Sequence, residues 1–326
     1  MSLTVVPDRD GGRSGVYALS VPEKLTPSVR TRVLVAVAVA VTSGALAWYK
    51  SRHGALYDFP HYAFGGRALL AGNDPYPSFV YPLPAAMWGA LFAALPSHIG
   101  GALFVGSAFG FLAFALTRDG WHRLPILVSG PGLWCLQSGQ WTPLVVAAAM
   151  TPAFAWAAVA KPTIGLAAFA YRPSWKFVWV CAATLALSLL VMPDWPLRWW
   201  GATHKANGDS LWAVPLLQPF GFLLALAAIR WRTPEGRLLL AMSIVPQSML
   251  IYDQFPLLLI ARTRAESIGF ALWTQVVPLL VGFLTIPDGL SAADGTSATF
   301  PFWARTITLT MYLPALGVVL WRRRAR

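Results

Sequence analysis

The chain has 326 residues, of which 56% are hydrophobic and 12% are charged, and its mean hydropathy is +0.56. Soluble globular proteins average about 45–50% apolar and about 25% charged residues. The composition therefore excludes an ordinary soluble enzyme, a disordered chain and a DNA-binding domain. The 16 tryptophans suit many membrane–water interfaces, where indole rings are favoured. We predict a polytopic integral membrane protein.

The net charge of +12 comes from Lys and Arg residues in short clusters between apolar runs. Cytoplasmic loops of membrane proteins have this pattern, whereas a nucleic-acid partner requires a continuous basic stripe. We therefore expect no nucleic-acid partner. Cys135 and Cys181 both lie inside apolar runs, which predicts small core residues. No spacing typical of a metal site occurs, and we expect no metal and no cofactor.

Residues 1–31 are polar and lack the short apolar core of a cleaved signal, so they predict a cytoplasmic tail. The apolar segment 33–49 follows Arg30 and Arg32, and it predicts the first transmembrane helix. We expect one transmembrane domain over 32–326. Further candidate passes are 82–96, 99–117, 124–138, 142–151, 153–161, 162–171, 177–192, 211–229, 238–250, 252–261, 268–286 and 303–321.

A full span needs about 20 apolar residues, so several of these segments would have to be short helices or paired half-passes inside a bundle. The predicted fold is an all-α transmembrane bundle with about 10 to 13 passes. The basic clusters place both termini in the cytoplasm of a cell (inner) membrane protein, and most aspartates fall in the outer loops, chiefly 51–81 and 193–210. One conflict is Arg118, which two full passes at 82–96 and 99–117 would place outside. The charge rule favours a short or re-entrant piece there.

The first outer loop carries the most informative polar residues. Asp58 directly follows the first predicted helix, and Tyr62 shares its face if the stretch is helical. Arg67 comes next, followed by a strong turn sequence at 72–76. A carboxylate, a guanidinium and aromatic rings at the membrane surface suit a sugar carried on a lipid phosphate. The alternative is that Asp58 pairs with Arg52 or Arg67, or caps a helix.

The pattern Asp58-Phe-x-x-Tyr62-x-x-x-x-Arg67-Ala-Leu-Leu-Ala-Gly-Asn-Asp-Pro-Tyr76 resembles the first outer loop of the GT-C-fold mannosyltransferases that use polyprenyl-phosphate-mannose. Further similar pieces follow in the same order as in that family, and the resemblance extends over about residues 33–261. They are Tyr81-Pro-Leu-Pro84, Ser138-Gly-Gln140, Ala160-Lys161-Pro162, Asn207-Gly-Asp-Ser-Leu211, Val245-Pro-Gln-Ser248 and Tyr252-Asp-Gln254.

The resemblance implies a GT-C bundle with a catalytic first outer loop, in which Asp58 is the base that removes the acceptor proton. It also implies a substrate-binding set. That set comprises Tyr62, Arg67, Asp74, Tyr76, Gln140, Lys161, Asn207, Tyr252 and Asp253. Tyr252 and Asp253 depart from the family, which often has histidine or other polar residues there.

Several of these residues also have simpler interpretations. Lys161 lies between two apolar half-passes, where a charge indicates function, but it could instead snorkel to a helix end. Gln140 could bind a sugar hydroxyl or a neighbouring helix. Asp74 could bind the acceptor or simply form the turn.

The sequence thus predicts a hexosyltransferase that moves a hexose, in the first instance mannose, from polyprenyl phosphate to a non-cytoplasmic lipid or glycan acceptor with inversion. Its expected partners are the lipid-linked donor, the acceptor and the bilayer. Two alternatives from other classes remain open. One is a transporter or flippase, which would carry charges at mid-helix and an internal repeat. The other is a non-catalytic partner in a glycan-assembly complex.

Overall fold

The computed structural model describes residues 27–54, 56–207, 213–248, 250–284 and 300–322. The predicted tail up to residue 26, most of the Asn207–Leu211 motif and the last outer loop lie outside the described residues. Within the described ranges the chain is 79% helical and forms no strand, and Ala213 and Gln247 form an isolated antiparallel β-bridge. The predicted all-α class is confirmed.

The α-helices lie close to the predicted apolar segments. In chain order they are α1 (Val29–His53), α2 (Phe59–Leu70), α3 (Leu83–Ala93), α4 (Ser97–Leu116), α5 (Gly130–Ser138), α6 (Thr142–Met150), α7 (Pro162–Tyr171), α8 (Trp175–Val191), α9 (Trp195–Asn207), α10 (Pro234–Ile244), α11 (Arg264–Leu284), α12 (Phe300–Ile307) and α13 (Leu313–Trp321). Shorter or tighter turns connect them. The 3₁₀ helices are Thr117–Asp119, Leu124–Val128, Pro152–Ala160, Pro215–Leu217, Gly221–Arg230 and Ile251–Ile260, and the π-helical turn is Thr308–Tyr312.

Three helices are long and apolar enough to cross a membrane, namely Val29–His53, Ser97–Asp119 and Phe302–Trp321. Helices α8 and α9 form a further candidate as a pair, but the chain bends by 90° between them. Four further apolar helices, Leu83–Ala93, Pro162–Tyr171, Gly221–Arg230 and Ile251–Ile260, are too short to cross a membrane as single helices. The chain is therefore a helical membrane protein by length and composition.

Arginine side chains tie the helix ends together at one end of the bundle, here called the basic end. Arg32 at the start of α1 donates to the Phe114 carbonyl near the end of α4, and Arg118 donates to the Met150 carbonyl at the end of α6. Further contacts of this end are Asp119 with Arg123 and Arg172, Arg123 with Tyr171, Arg237 with the Tyr171 carbonyl, Glu235 with Arg262, and Glu266 with Arg322.

Four elements lead from the basic end to the opposite end of the bundle. Helix α1 runs from Val29, close to Arg32, to His53, five residues before Asp58, and α6 runs from Thr142 to Met150. Helix α7 starts directly after Lys161, and the 3₁₀ helix Ile251–Ile260 starts next to Asp253. The polar residues that the sequence singled out therefore gather at the end away from the arginines.

The α2–α3 pair resolves the conflict over Arg118. These two short helices pack closely on each other because Gly66 and Gly89 have no side chains: an added Cβ at Gly89 would lie 2.5 Å from the Tyr62 carbonyl oxygen. Phe92, at the end of α3, reaches the start of α4 at Gly100. Both ends of α3 therefore lie near the Asp58 end, and α4 alone returns the chain to the basic end, where Arg118 belongs.

The two predicted outer loops contact each other. Arg198 in α9 forms ion pairs with Asp74 and Asp194, at 2.6 Å each. The Trp199 indole N–H donates to the Val80 carbonyl at 3.0 Å. The described part of loop 193–210 thus forms helix α9, which covers loop 76–80, and both outer loops lie at the same end of the molecule.

Candidate functional site

Asp58 is placed at the start of α2, where Pro60 in the first turn suits a helix N-terminus. Its backbone N–H donates to the Ser138 carbonyl at 2.8 Å, which fixes it against the end of α5. Its carboxylate accepts a hydrogen bond from the Tyr81 hydroxyl at 3.3 Å. The side chain is half-buried, so the carboxylate sits at the boundary between the packed interior and the outside.

Gln140 lies between Tyr62 and Lys161 and accepts a hydrogen bond from each. The Gln140 carbonyl oxygen accepts hydrogen bonds from the Tyr62 hydroxyl at 3.1 Å and from the Lys161 ammonium at 3.0 Å. These two donors fix the orientation of the amide, because a flipped amide would set its NH₂ group against them. The amide nitrogen is buried and has no hydrogen-bond partner within the described residues.

Lys161 forms a buried ion pair with Asp253. The Ser248 hydroxyl donates to the other oxygen of the same carboxylate, and the Lys161 ammonium also lies 4.7 Å from the centre of the Tyr252 ring. An unpaired lysine would be costly at this burial, whereas this one has a carboxylate, an amide and an aromatic face. Lys161 is therefore held in place and does not snorkel freely.

We call this group the Asp58 cluster. Its members are Asp58, Tyr62, Tyr81, Gln140, Lys161, Ser248, Tyr252 and Asp253. It holds two carboxylates and one ammonium group. Burial raises the pKa of Asp58, and the nearby Lys161 charge counters this rise only in part. Asp58 is thus the more basic type of carboxylate that proton abstraction needs.

Aromatic rings enclose the cluster on its interior side. The Tyr62 ring lies 4.9 Å from Tyr81 and 5.6 Å from Trp141, both edge-to-face, and Trp141 also packs on Phe104. These contacts keep Tyr62 fully buried, with only its hydroxyl directed to Gln140. Aromatic faces next to a carboxylate are suited to hold an apolar or sugar surface against it.

Four sequence-predicted residues lie outside the Asp58 cluster. Arg67 is exposed on α2. It lies nine residues after Asp58, which places it on the opposite face of the helix. Asp74 accepts from the Tyr76 backbone N–H at 2.9 Å and pairs with Arg198. Tyr76 lines a separate cleft of about 440 Å³ under α9. Asn207 is the last residue of α9, and its side chain lies outside the described part of the chain.

Two members of the cluster were not among the predicted site residues. Tyr81 belongs to the quoted Tyr81–Pro84 motif, and Ser248 ends the quoted Val245–Ser248 motif. The sequence analysis quoted both motifs, but it did not single out these two residues, because a tyrosine or serine in an apolar context does not by itself indicate function. Only the tertiary contacts with Asp58 and Asp253 single these residues out.

The arrangement offers a base, a fixed cation and an unused amide donor within one cluster. Such a set can take a proton at the Asp58 carboxylate and stabilise negative charge near Lys161 and Gln140. Among the described residues no group of three or more His, Cys, Asp or Glu side chains could hold a metal ion.

No protein-family model matches the chain, and no solved structure matches it.

Proposed function

We propose that this chain is a membrane hexosyltransferase of the GT-C type that transfers a hexose, in the first instance mannose, from a polyprenyl-phosphate donor to an extracytoplasmic lipid or glycan acceptor. The observation that carries the proposal is the Asp58 cluster itself. A carboxylate of raised pKa lies close enough to a fixed lysine to feel its charge, at the end of the bundle opposite the basic end.

The proposed reaction is a direct displacement at the anomeric carbon. Asp58 takes the proton of the acceptor hydroxyl, whose oxygen forms the new bond to the anomeric carbon. The bond from that carbon to the phosphate oxygen breaks, and its electron pair leaves with the polyprenyl phosphate. Lys161 stabilises the phosphate charge, and the Gln140 amide N–H donates to a substrate oxygen. Attack from the side opposite the leaving group inverts the configuration.

The proposed topology follows the charge distribution. The basic end faces the cytoplasm with both termini, in agreement with the positive-inside rule, and the Asp58 cluster faces the other side of the cell membrane. We keep the expectation of about 10 to 13 passes, in which the short helices count as half-passes inside the bundle.

One observation also favours a second function. A buried Lys161–Asp253 pair beside broken helices is a feature of transporters, where such charges line a substrate pathway. A transporter would move its substrate unchanged, whereas a transferase would form a new glycosidic bond.

The test uses membranes of cells that make the chain, supplied either with radiolabelled polyprenyl-phosphate-mannose or with labelled nucleotide-mannose. We expect label in a new lipid or glycan product from the first donor alone, and none in membranes from cells that lack the chain. Transfer from the nucleotide sugar without any polyprenyl carrier would overturn the donor assignment. Movement of intact label across the membrane without a new product would favour the transporter.

A further inference from the structure

Three polar side chains form a closed hydrogen-bonded ring in the core behind the Asp58 cluster. Gln247, Gln254 and Tyr312 are each at most 1% exposed. The Gln247 amide donates to the Tyr312 hydroxyl at 2.7 Å, and that hydroxyl donates to the Gln254 carbonyl oxygen at 2.7 Å. The Gln254 amide donates back to the Gln247 carbonyl oxygen at 3.3 Å. We call this the Gln–Tyr ring.

Each of the two amide NH₂ groups in the ring also donates a second hydrogen bond, to a backbone carbonyl. Gln247 also donates to the Met242 carbonyl at 2.8 Å, and Gln254 donates to the Leu250 carbonyl at 3.1 Å. Since every donor is paired, neither amide can flip without leaving a buried polar group unsatisfied. A ring of this kind has one low-energy arrangement, and it fixes the backbone segments that carry it.

The ring ties three parts of the chain together. Gln247 follows α10 and also forms the two backbone hydrogen bonds of the β-bridge to Ala213, each 3.0 Å long. Gln254 belongs to the 3₁₀ helix Ile251–Ile260. Tyr312 ends the π-helical turn that interrupts the last apolar span, and such turns recur at functional sites.

The Gln–Tyr ring is linked to the Asp58 cluster by the backbone, because two residues of the ring are sequence neighbours of two residues of the cluster. Gln247 is the residue before Ser248, and Gln254 is the residue after Asp253. Ser248 and Asp253 bond to each other, and Asp253 pairs with Lys161. The placement of the Lys161 ammonium therefore depends on a carboxylate whose backbone neighbours are fixed by the ring.

We propose that Tyr312 is a positioning residue, which through Gln247 and Gln254 holds Asp253 where it fixes the Lys161 ammonium in the site. This inference rests on the proposed function. It adds to the proposed site a residue that lies outside the region 33–261, over which the resemblance extends. Packing alone would be served as well by three apolar side chains, because a buried polar network gains little stability over an apolar core.

The first test compares Tyr312→Phe, which removes one hydroxyl, with Tyr49→Phe at an exposed tyrosine of α1. Donor kinetics are measured in the full-length protein, in the native background and in a Lys161→Gln background. We expect Tyr312→Phe to lower kcat/KM for polyprenyl-phosphate-mannose about tenfold, the loss typical of one hydrogen bond next to a charge. Tyr49→Phe should have no effect.

The effect of Tyr312→Phe should disappear in the Lys161→Gln background, because the ring acts through that ammonium. An equal loss in both backgrounds would show that Tyr312 acts on folding alone and would overturn the proposal. No loss in the native background would overturn it as well. If Tyr312→Phe does not fold, Gln254→Met replaces it in the same comparison.

A second measurement keeps this inference separate from the proposed function. Hydrogen exchange in substrate-free protein is followed for peptides that cover residues 247–254. Tyr312→Phe should accelerate exchange there, and Tyr49→Phe should leave it unchanged. Unchanged exchange in Tyr312→Phe would overturn the positioning role. If the native protein transfers no hexose but the exchange result holds, the proposed function fails while the positioning of Asp253 stands.

Discussion

At the residue scale, the central feature is that two carboxylates lie near one ammonium. Asp253 holds the Lys161 ammonium in a direct ion pair, whereas Asp58 feels its charge without pairing with it. Asp58 is therefore half-buried without a direct cationic partner, and this burial raises its pKa. Asp58 is thereby suited to accept a proton, while Asp253 is suited to hold a cation.

This difference predicts a pH dependence. A base must be ionised, so kcat/KM for transfer should fall as the pH drops through the pKa of Asp58. Because that pKa is raised, the fall should occur above the value of about 3.9 for an ordinary aspartate. Lys161 lowers the pKa of Asp58, so Lys161→Gln should move the acidic limb to still higher pH. A limb that stays in place in Lys161→Gln would contradict this electrostatic coupling.

Lys161 and Arg67 offer a direct comparison of two cations. Lys161 lies in the Asp58 cluster, whereas Arg67 is exposed on the far side of α2. Loss of a fixed donor to a developing charge costs about 10²–10³ in kcat, so we expect Lys161→Gln to lower transfer by this factor. Arg67→Gln should keep transfer within a few-fold of the native rate. A larger loss at Arg67 than at Lys161 would place the donor phosphate elsewhere.

The sequence could predict part of this site and not the rest. Lys161 was accessible because a charge in an apolar context is unusual and needs a reason. Asp58 was accessible from the polar pattern of the first outer loop, and Asp253 from the resemblance. Arg67 was grouped with Asp58 because the two are close in sequence, but helix phase separates them. Tyr81 was overlooked because it lies 23 residues after Asp58, beyond helix α2, and its contact with Asp58 depends on tertiary packing.

At the scale of elements, the α2–α3 contact depends on glycine. At Gly89 a methyl group would collide with the Tyr62 backbone. That backbone cannot move without displacing the Tyr62 hydroxyl, which donates a hydrogen bond to Gln140. Gly89→Ala should therefore lower the free energy of unfolding by about 1–3 kcal/mol. The measurement is thermal unfolding followed by tryptophan fluorescence in detergent.

The matched control for this change is Gly269→Ala in α11. Nothing lies within 4 Å of an added Cβ at Gly269, and alanine is about 1 kcal/mol better than glycine inside a helix. This variant should be as stable as the native protein or more stable. If both variants unfold at the same temperature, the close α2–α3 contact does not exist.

Helix positions followed from hydropathy with good accuracy, because apolar runs and prolines mark both the interior and the starts of helices. The arrangement of the short helices could not be predicted from hydropathy. Residues 82–96 were long enough to suggest a pass, and only the α2–α3 packing shows that α3 stays at the Asp58 end. Loop 193–210 gave no helical pattern strong enough to predict α9, which tertiary contacts with Val80 hold in place.

At the scale of the whole molecule, the basic end and the Asp58 end define an orientation. The arginine contacts at one end and the Asp74–Arg198–Asp194 contact at the other agree with the predicted separation of charges. The charge rule therefore agrees with the grouping of the loops at the two ends, because loop charge does not depend on how many short helices intervene.

Cysteine labelling tests the orientation. Single cysteines are introduced as Asp74→Cys and Lys176→Cys, both at exposed positions, in a chain whose Cys135 and Cys181 are replaced by alanine. An impermeant reagent applied to intact cells should label position 74. Position 176 should be labelled only after the membrane is permeabilised. The reverse pattern would place the Asp58 cluster in the cytoplasm and contradict the proposed topology.

The most direct measurement of the central claim is hexose transfer by purified Asp58→Asn protein. The amide keeps the size of the side chain and can still accept from Tyr81, but it cannot take a proton. Loss of a general base costs about 10²–10⁴ in rate, so the folded variant should transfer almost no hexose from polyprenyl-phosphate-mannose. Asp74→Asn, in the turn beside Arg198, serves as the control and should retain most of the activity. Near-normal transfer by Asp58→Asn would show that Asp58 is not the base and would contradict the account.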